Sequence, residues 1–266
     1  MKIAKHLGII GGNGWLGNAM ASAAVETGLI DPALLTLSSR SGTPGKDAIA
    51  GATWTRDNAE LAARSDIIVL SVRPQQFPEV AIDAGGKLVV SVMAGVSAAT
   101  IAARTGASDI VRAMPNAGME IRKSFTPWHA TPSVSAEDKA IVQALFDACG
   151  EGAEVTSEAH VDYCAGLTGS GAAFPALLAQ AMMAHAVGQG LSPDFAARAA
   201  KSVVAEAAQL LGGAEGDPAA MIAAMIGYQG TTAAALETMI ARGFAQAVGA
   251  GLDAALAKGR KMAGES

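Results

Sequence analysis

The sequence predicts an α/β domain over residues 1–156 followed by an all-α domain over residues 157–266. Three observations predict this. From His6 to about Val155, short β-rich runs alternate with helical stretches, the pattern of successive βαβ units around a largely parallel sheet. After Ser157 that strand signal ends, and long Ala-, Leu- and Met-rich stretches follow. A length of 266 residues, at roughly 100–200 per domain, accommodates two domains.

In chain order, the strands are LGIIG (7–11), LLTLS (34–38), DIIVLS (66–71), KLVVSV (87–92) and DIVRAM (109–114). All are largely apolar runs without strict alternation, as expected of strands covered by helices on both faces. Two weaker strands are expected near Phe125–Ala130 and Ala153–Thr156. In the second half, GLSPD (190–194), GGAEGDP (212–218) and GYQG (227–230) read as helix stops and starts. Ser192-Pro193-Asp194 and Asp217-Pro218 each put proline at a first helical position, where its missing N–H costs nothing.

Composition narrows the function. A net charge of −5 with 16% charged residues argues against a polyanion binder, so no nucleic-acid partner is expected. With 51% hydrophobic residues but 4% aromatics, burial must come from Ala, Leu, Val, Ile and Met, which favours close-packed helices. Cys149 and Cys164 form neither a disulfide framework nor a zinc spacing, which suits a cytoplasmic protein. The opening MKIAKHLGIIGG has too short an apolar run for a secretory signal. The stretch Ala172–Val187, interrupted by Pro175, Gln180 and His185, falls short of the ~20 residues that span a bilayer and is expected to be a buried helix, with no membrane partner. His6, His129, His160 and His185 stand in no metal or triad spacing, so no metal is implied. His185 and the methionines Met182, Met183, Met221 and Met225 are expected to pack against helices.

Gly12-Asn13-Gly14-Trp15-Leu16-Gly17 is a GxGxxG that follows the first strand and opens a helix, the context of a dinucleotide fingerprint. This makes the first domain a Rossmann-type NAD(P)-binding domain. Gly12 is expected to permit the tight turn, Gly14 the approach of a diphosphate, and Gly17 close packing of helix on strand. Backbone N–H groups from Asn13 to Leu16 then face the diphosphate at the positive end of the helix dipole. At the end of the second strand an NAD site wants a carboxylate, but the chain has Ser38-Ser39-Arg40-Ser41. Hydroxyls and a guanidinium suit a 2′-phosphate, so Ser39 and Arg40 point to NADPH, with NADH as the alternative.

Further motifs follow in order: Asp57-Asn58-Ala59-Glu60; Leu70-Ser71-Val72-Arg73-Pro74-Gln75; Ser91-Val92-Met93-Ala94-Gly95-Val96; Met114-Pro115-Asn116; Gly166 to Phe174; and Gly230-Thr231-Thr232. Met93-Ala94-Gly95 and Pro115-Asn116 end strands on the carboxyl edge of the sheet, where small residues would let a nicotinamide approach a substrate closely. Gly230-Thr231-Thr232 precedes the apolar-periodic AAALETMI, so it is a helix N-terminus with free donors for a carboxylate. The same threonines could equally cap the helix, Asn58 could cap another, and Pro74 could merely start one.

Taken together, the series resembles the pyrroline-5-carboxylate reductase family, which reduces a cyclic imine acid to proline with NAD(P)H, and the resemblance covers essentially the whole chain. It implies that Asn58 lies near the adenosine ribose and that Ser71, Val72, Arg73 and Pro74 close over the cofactor. It further implies that Gly230, Thr231 and Thr232 hold the substrate carboxylate, with the Thr232 hydroxyl toward the ring nitrogen as the catalytic contact, and that Ser170 is a secondary substrate contact. Proline biosynthesis and interlocked helical domains in a homodimer or larger homo-oligomer are implied too, and the apolar helices after Ser157 point to association independently. The chain departs from the family pattern at Gly227-Tyr228-Gln229, at Ala117-Gly118-Met119-Glu120 and at Ala172. Two other readings stay open: a 3-hydroxyacid-dehydrogenase-like oxidoreductase, although Pro175 stands where its catalytic lysine would fall, and a non-catalytic NADP-binding sensor.

Overall fold

The computed structural model describes residues 2–45, 48–212 and 216–262. Its first half is one eight-stranded sheet. In chain order the strands are β1 (Leu7–Ile10), β2 (Leu35–Ser38), β3 (Thr53–Thr55), β4 (Ile67–Leu70), β5 (Leu88–Ser91), β6 (Asp109–Ala113), β7 (Ser124–Ala130) and β8 (Gly150–Glu154). Their order across the sheet is β3-β2-β1-β4-β5-β6-β7-β8. Every pairing is parallel except β6 with β7. Strand order reverses at β1, which lies between β2 and β4, so the crevice between β1 and β4 at their carboxyl ends is the topological switch point.

Helices cover both faces. On one side, α1 (Trp15–Glu26) and α4 (Ala136–Asp147) pack on alternate residues of the strands: Leu7, Ile9, Leu35, Leu37, Ile67, Val69 and Val90 meet Met20, Ala24, Ile141 and Leu145. On the other, Ile10, Ile68, Leu70, Val89 and Ile110 meet Leu61 of α2 (Asn58–Arg64), Phe77, and Ile101 of α3 (Ala98–Thr105). This is the doubly buried sheet that apolar runs without alternation require. β3 was not foreseen: Thr53-Trp54-Thr55 is only three residues long and lacks an apolar run.

One buried charge ties the edge of this sheet to the next helix. Arg112 on β6 is 3% exposed and reaches α5 (Glu158–Leu167), bonding Glu158 at 2.8 Å and Asp162 at 2.6 Å. Burial opposes its charge, but the two carboxylates outweigh it and raise its pKa above the ordinary arginine value. Glu158 also accepts from the backbone N–H of Ala98 at 2.6 Å, linking the start of α3 to the same cluster. Cys149 is fully buried, and burial pushes its thiol up to about 12.

Compactness separates a first unit, which runs to Gly171 and takes in the chain from Ala254, from a second, Ala172–Asp253. On this criterion α5 goes with the sheet, whereas the sequence-based boundary at 156/157 groups it with the helices that follow. The second unit contains α6 (Ala173–Gly188), α7 (Pro193–Lys201), a π-helical stretch Ser202–Glu206, α8 (Pro218–Gly227), α9 (Thr231–Ala241) and the beginning of α10 (Phe244–Met262). Pro193 and Pro218 open their helices behind capping Ser192 and Asp217, as expected. Residues 213–215 of the break at 212–218 lie outside the described residues. Contrary to the expectation of a buried helix, α6 has no buried residue within this one chain. Apart from Gln180 and His185 it is apolar, and Phe174, Leu177, Phe195, Leu210 and Ile240 of this unit are exposed. A helix this apolar needs cover from elsewhere.

Arg112→Ala should strand Glu158 and Asp162 and lower stability by about 3 kcal/mol, the low end for breaking a buried ion pair because both carboxylates are part-exposed. The midpoint of urea unfolding measures this, and an unchanged midpoint would show that α5 is held by its apolar contacts alone.

Candidate functional site

The site begins where β1 ends. The N–H groups of Gly11 and Gly12 both donate to the Ser38 carbonyl, at 3.2 and 2.8 Å, and Ser71 N–H donates to the Ile10 carbonyl at 2.9 Å. The chain leaving β1 is thus pinned between the ends of β2 and β4. The residue that turns it is Gly11, with φ +91°, one position before the Gly12 that the sequence suggested. A Cβ on Gly11 would lie 2.3 Å from the Ser71 carbonyl oxygen. Gly12 is required for a different reason, since a Cβ there would meet Leu37 Cβ at 2.7 Å. At Gly17 a Cβ would come within 2.7 Å of the Gly11 carbonyl oxygen, so this glycine does let α1 pack closely on the turn.

Gly14 caps α1 without any side-chain hydrogen bond to the first turn. The first helical bond is Asn18 N–H to the Gly14 carbonyl, at 2.9 Å, which leaves the N–H groups of Trp15, Leu16 and Gly17 outside the helical ladder. A Cβ on Gly14 would touch only the Gly11 carbonyl at 3.1 Å and approach that of Ser71 at 3.8 Å. An uncapped helix start with an open cradle over it is what a diphosphate needs. Trp15 is exposed, and Leu16 packs on the core.

The loop after β2 is built from hydroxyls. Ser38 donates to Asn58 Oδ1 at 2.7 Å, Ser39 and Ser41 are 3.2 Å apart, and both donate to the Thr43 carbonyl. Asn13 staples this loop to the glycine turn: its Nδ2 donates to the Thr43 carbonyl and its Oδ1 accepts from Gly45 N–H, both at 2.9 Å. Arg40 is exposed beside it. Asn58 does not cap α2; Asp57 does, through Ala59 and Glu60 N–H.

After β4, Ser71 and Val72 are half-buried and Arg73 is exposed. Pro74 opens a 3-10 turn, Pro74–Glu79. Arg104 braces that turn by donating to the Phe77 carbonyl at 3.2 Å and to the Pro78 carbonyl, with its guanidinium 5.7 Å from the Phe77 ring centre. No sequence signal marked this brace. Met93 lies in the core, Ala94 is half-buried, and Gly95 turns the chain with φ +70°.

Pro115 is buried, and Asn116 joins two motifs some fifty residues apart. Its Nδ2 donates to the Thr168 carbonyl at 3.0 Å and its Oδ1 accepts from Gly118 N–H at 2.8 Å. The Gly169-Ser170-Gly171 turn is thereby drawn against the end of β6, where a Cβ on Gly171 would stand 3.3 Å from Asn116 Cβ.

Within the second unit, Gly230 caps α9 with no side-chain hydrogen bond, so neither threonine acts as a cap. Thr231 and Thr232 are exposed in its first turn. Just before them Gln229 holds φ +55°, a conformation that side chains other than glycine adopt at a cost, and Tyr228 is 87% exposed. Among the described residues, no group of three His, Cys, Asp or Glu side chains could hold a metal ion, and no helix is long and apolar enough to cross a membrane.

Residues 158–262 match the family described as pyrroline-5-carboxylate reductase dimerisation, and residues 6–95 that described as NADP oxidoreductase coenzyme F420-dependent. A pyrroline-5-carboxylate reductase of Pseudomonas aeruginosa is 34% identical over 77% of this chain and 78% of its own. In fold, the chain is similar to a pyrroline-5-carboxylate reductase from Coxiella burnetii, with a TM-score of 0.86 at 24% identity over 98% of this chain and 99% of that one. It is also similar to Plasmodium falciparum pyrroline carboxylate reductase, determined with NADP bound: TM-score 0.81, 22% identity, 99% of this chain and 100% of that one.

The two glycines should separate cleanly by mutation. Gly14→Ala should change stability by less than about 1 kcal/mol, because its methyl would crowd only the Gly11 carbonyl, at 3.1 Å, and a diphosphate seated on this turn would make the same methyl weaken NADPH binding about tenfold or more. Gly17→Ala should lower the unfolding midpoint itself, since its Cβ meets backbone at 2.7 Å. Equal unfolding losses in both variants, or undiminished NADPH binding by Gly14→Ala in a calorimetric titration, would contradict the assignment.

Proposed function

The chain belongs to the pyrroline-5-carboxylate reductase family, and on that premise we propose that it reduces pyrroline-5-carboxylate to proline with NADPH. The observation that carries this reading is the 34% identity to a reductase of that name over more than three quarters of both chains. The glycine cradle above the uncapped start of α1 supports it by fitting the cofactor's diphosphate.

In this reading, the backbone N–H groups of Asn13, Trp15 and Leu16 bind the diphosphate, while those of Gly12 and Gly14 hold the turn by bonding the Ser38 and Gly11 carbonyls, and Ser39 and Arg40 take the 2′-phosphate. Asn58 lies by the adenosine ribose, Ser71, Val72, Arg73 and Pro74 cover the cofactor, and Met93, Ala94, Gly95, Pro115 and Asn116 border its nicotinamide. NADPH, when bound, supplies the hydride for the carbon of the C=N bond. The chain's own contribution is positioning and charge. Gly230, Thr231 and Thr232, at a helix start with no side-chain cap, offer backbone donors to the substrate carboxylate. The Thr232 hydroxyl hydrogen-bonds the ring nitrogen or passes it a proton from water, and Ser170 adds a secondary contact. A protonated imine is already a good hydride acceptor, so no strong acid is needed. The enzyme is placed in the cytoplasm, a reducing compartment that suits its free Cys149 and Cys164.

The second unit's exposed apolar helices support a homodimer or larger homo-oligomer formed through residues 157–266. Light scattering should therefore give at least twice the chain mass of 26.5 kDa, and a monodisperse monomer would count against it.

The activity itself is tested by following NADPH oxidation with pyrroline-5-carboxylate and identifying proline as product. Thr232→Ala should lower kcat by about 10- to 100-fold without abolishing turnover. Unchanged kinetics would remove the role given to that hydroxyl, and cofactor binding without turnover in the unmutated protein would favour a sensor.

A further inference from the structure

β3 pairs in parallel with β2, with Ser38 opposite Thr55, so the chain leaves both strands at the same carboxyl edge of the sheet. Two loops therefore emerge side by side: Ser39-Arg40-Ser41-Gly42 after β2, and Arg56-Asp57 after β3. They are joined directly, because Ser39 N–H donates to the Thr55 carbonyl at 3.1 Å. Gly42, at φ +72° and closing its turn through N–H to the Ser39 carbonyl, brings the first loop hard against Arg56. A Cβ on Gly42 would lie 3.2 Å from both Arg56 Cβ and its backbone N, and 3.6 Å from Nε. The Arg56 side chain thus lies along the turn that carries Ser39, Arg40 and Ser41.

Arg40 and Arg56 are both exposed, and among the described residues neither forms an ion pair. The nearby carboxylates have other work: Asp57 accepts from Ala59 and Glu60 N–H as the cap of α2, and Glu60 takes the Thr55 hydroxyl at 2.7 Å and Arg64 at 3.3 Å. Arg40 and Arg56 thus stand on two directly bonded loops, beside Ser39 and Ser41, where the second strand of a dinucleotide fold meets the adenosine ribose.

We infer that Arg56 is a second phosphate-binding cation, which grips the 2′-phosphate of NADP(H) together with Arg40 and so sets the cofactor preference. A ribose 2′-phosphate carries close to two negative charges near neutrality; one guanidinium neutralises half of that, and a second on the adjoining loop completes it with charge-assisted hydrogen bonds. The inference rests on the reading of this edge as a nicotinamide-cofactor site.

The test is calorimetric titration of the full-length protein and of Arg56→Ala, Arg56→Lys and Arg40→Ala with NADPH and NADH, and with 2′,5′-ADP and 5′-AMP as fragment probes. Arg56→Ala should weaken NADPH and 2′,5′-ADP about tenfold, while NADH and 5′-AMP change by less than about twofold. Arg56→Lys should recover part of the loss, because it keeps the charge but not the planar fork. An Arg56→Ala that leaves the NADPH to NADH affinity ratio unchanged, whether by weakening both alike or neither, overturns the inference and leaves the cofactor site standing. Unmutated protein that binds neither nicotinamide cofactor overturns both.

Discussion

The backbone of Gly11 runs so close to the Ser71 carbonyl that no side chain fits between them, and the remainder of the site depends on that approach. It holds the start of α1 at the point where strand order reverses, between the ends of β2 and β4. Because the turn is pinned by backbone hydrogen bonds at both neighbours, the free N–H groups that open α1 are held in place before any ligand arrives. Asn13 then extends the same rigidity outward by fixing the loop that follows β2. The remaining carboxyl-edge segments, after β4, β5 and β6, inherit their positions from the parallel register of the sheet.

Most of the sheet was legible because parallel strands buried on both faces are largely apolar without strict alternation, and five such runs stand out in the sequence. Less was legible where side-chain pattern and backbone role diverge. The glycine fingerprint located the turn, but its left-handed residue is Gly11, which lies outside the GxGxxG spacing. Gly12 is held instead by contact with Leu37, a long-range constraint that no local pattern encodes. β3 escaped notice because three residues of Thr-Trp-Thr carry little hydrophobic signal. With β3 went Arg56, since only the parallel pairing of β3 with β2 brings it beside Gly42. Arg104 is a similar case, linked to Phe77 and Pro78 from more than two dozen residues away.

The two units differ in how they satisfy the hydrophobic effect. The first closes its core within one chain: Leu7, Ile9, Leu35, Ile68 and Leu70 are each 0% exposed, and full burial of such side chains contributes roughly 1.5–3 kcal/mol apiece. In the second, only Ala196, Ala200 and Ala233 are buried among its described residues, while Phe174, Leu177, Leu210 and Ile240 face outward. A sequence can show that these helices are apolar, but a single chain has nothing to cover them. The family description matched by residues 158–262, the stretch that carries them, names dimerisation.

Backbone amide hydrogen exchange, with and without saturating NADPH, reads the N–H groups of the glycine turn themselves, independently of any side chain. Bound NADPH should slow exchange chiefly at residues 13–17, with a second protected segment at residues 39–43. Saturated binding that leaves the glycine turn exchanging at its free rate, with protection appearing elsewhere, would contradict a cofactor seated there.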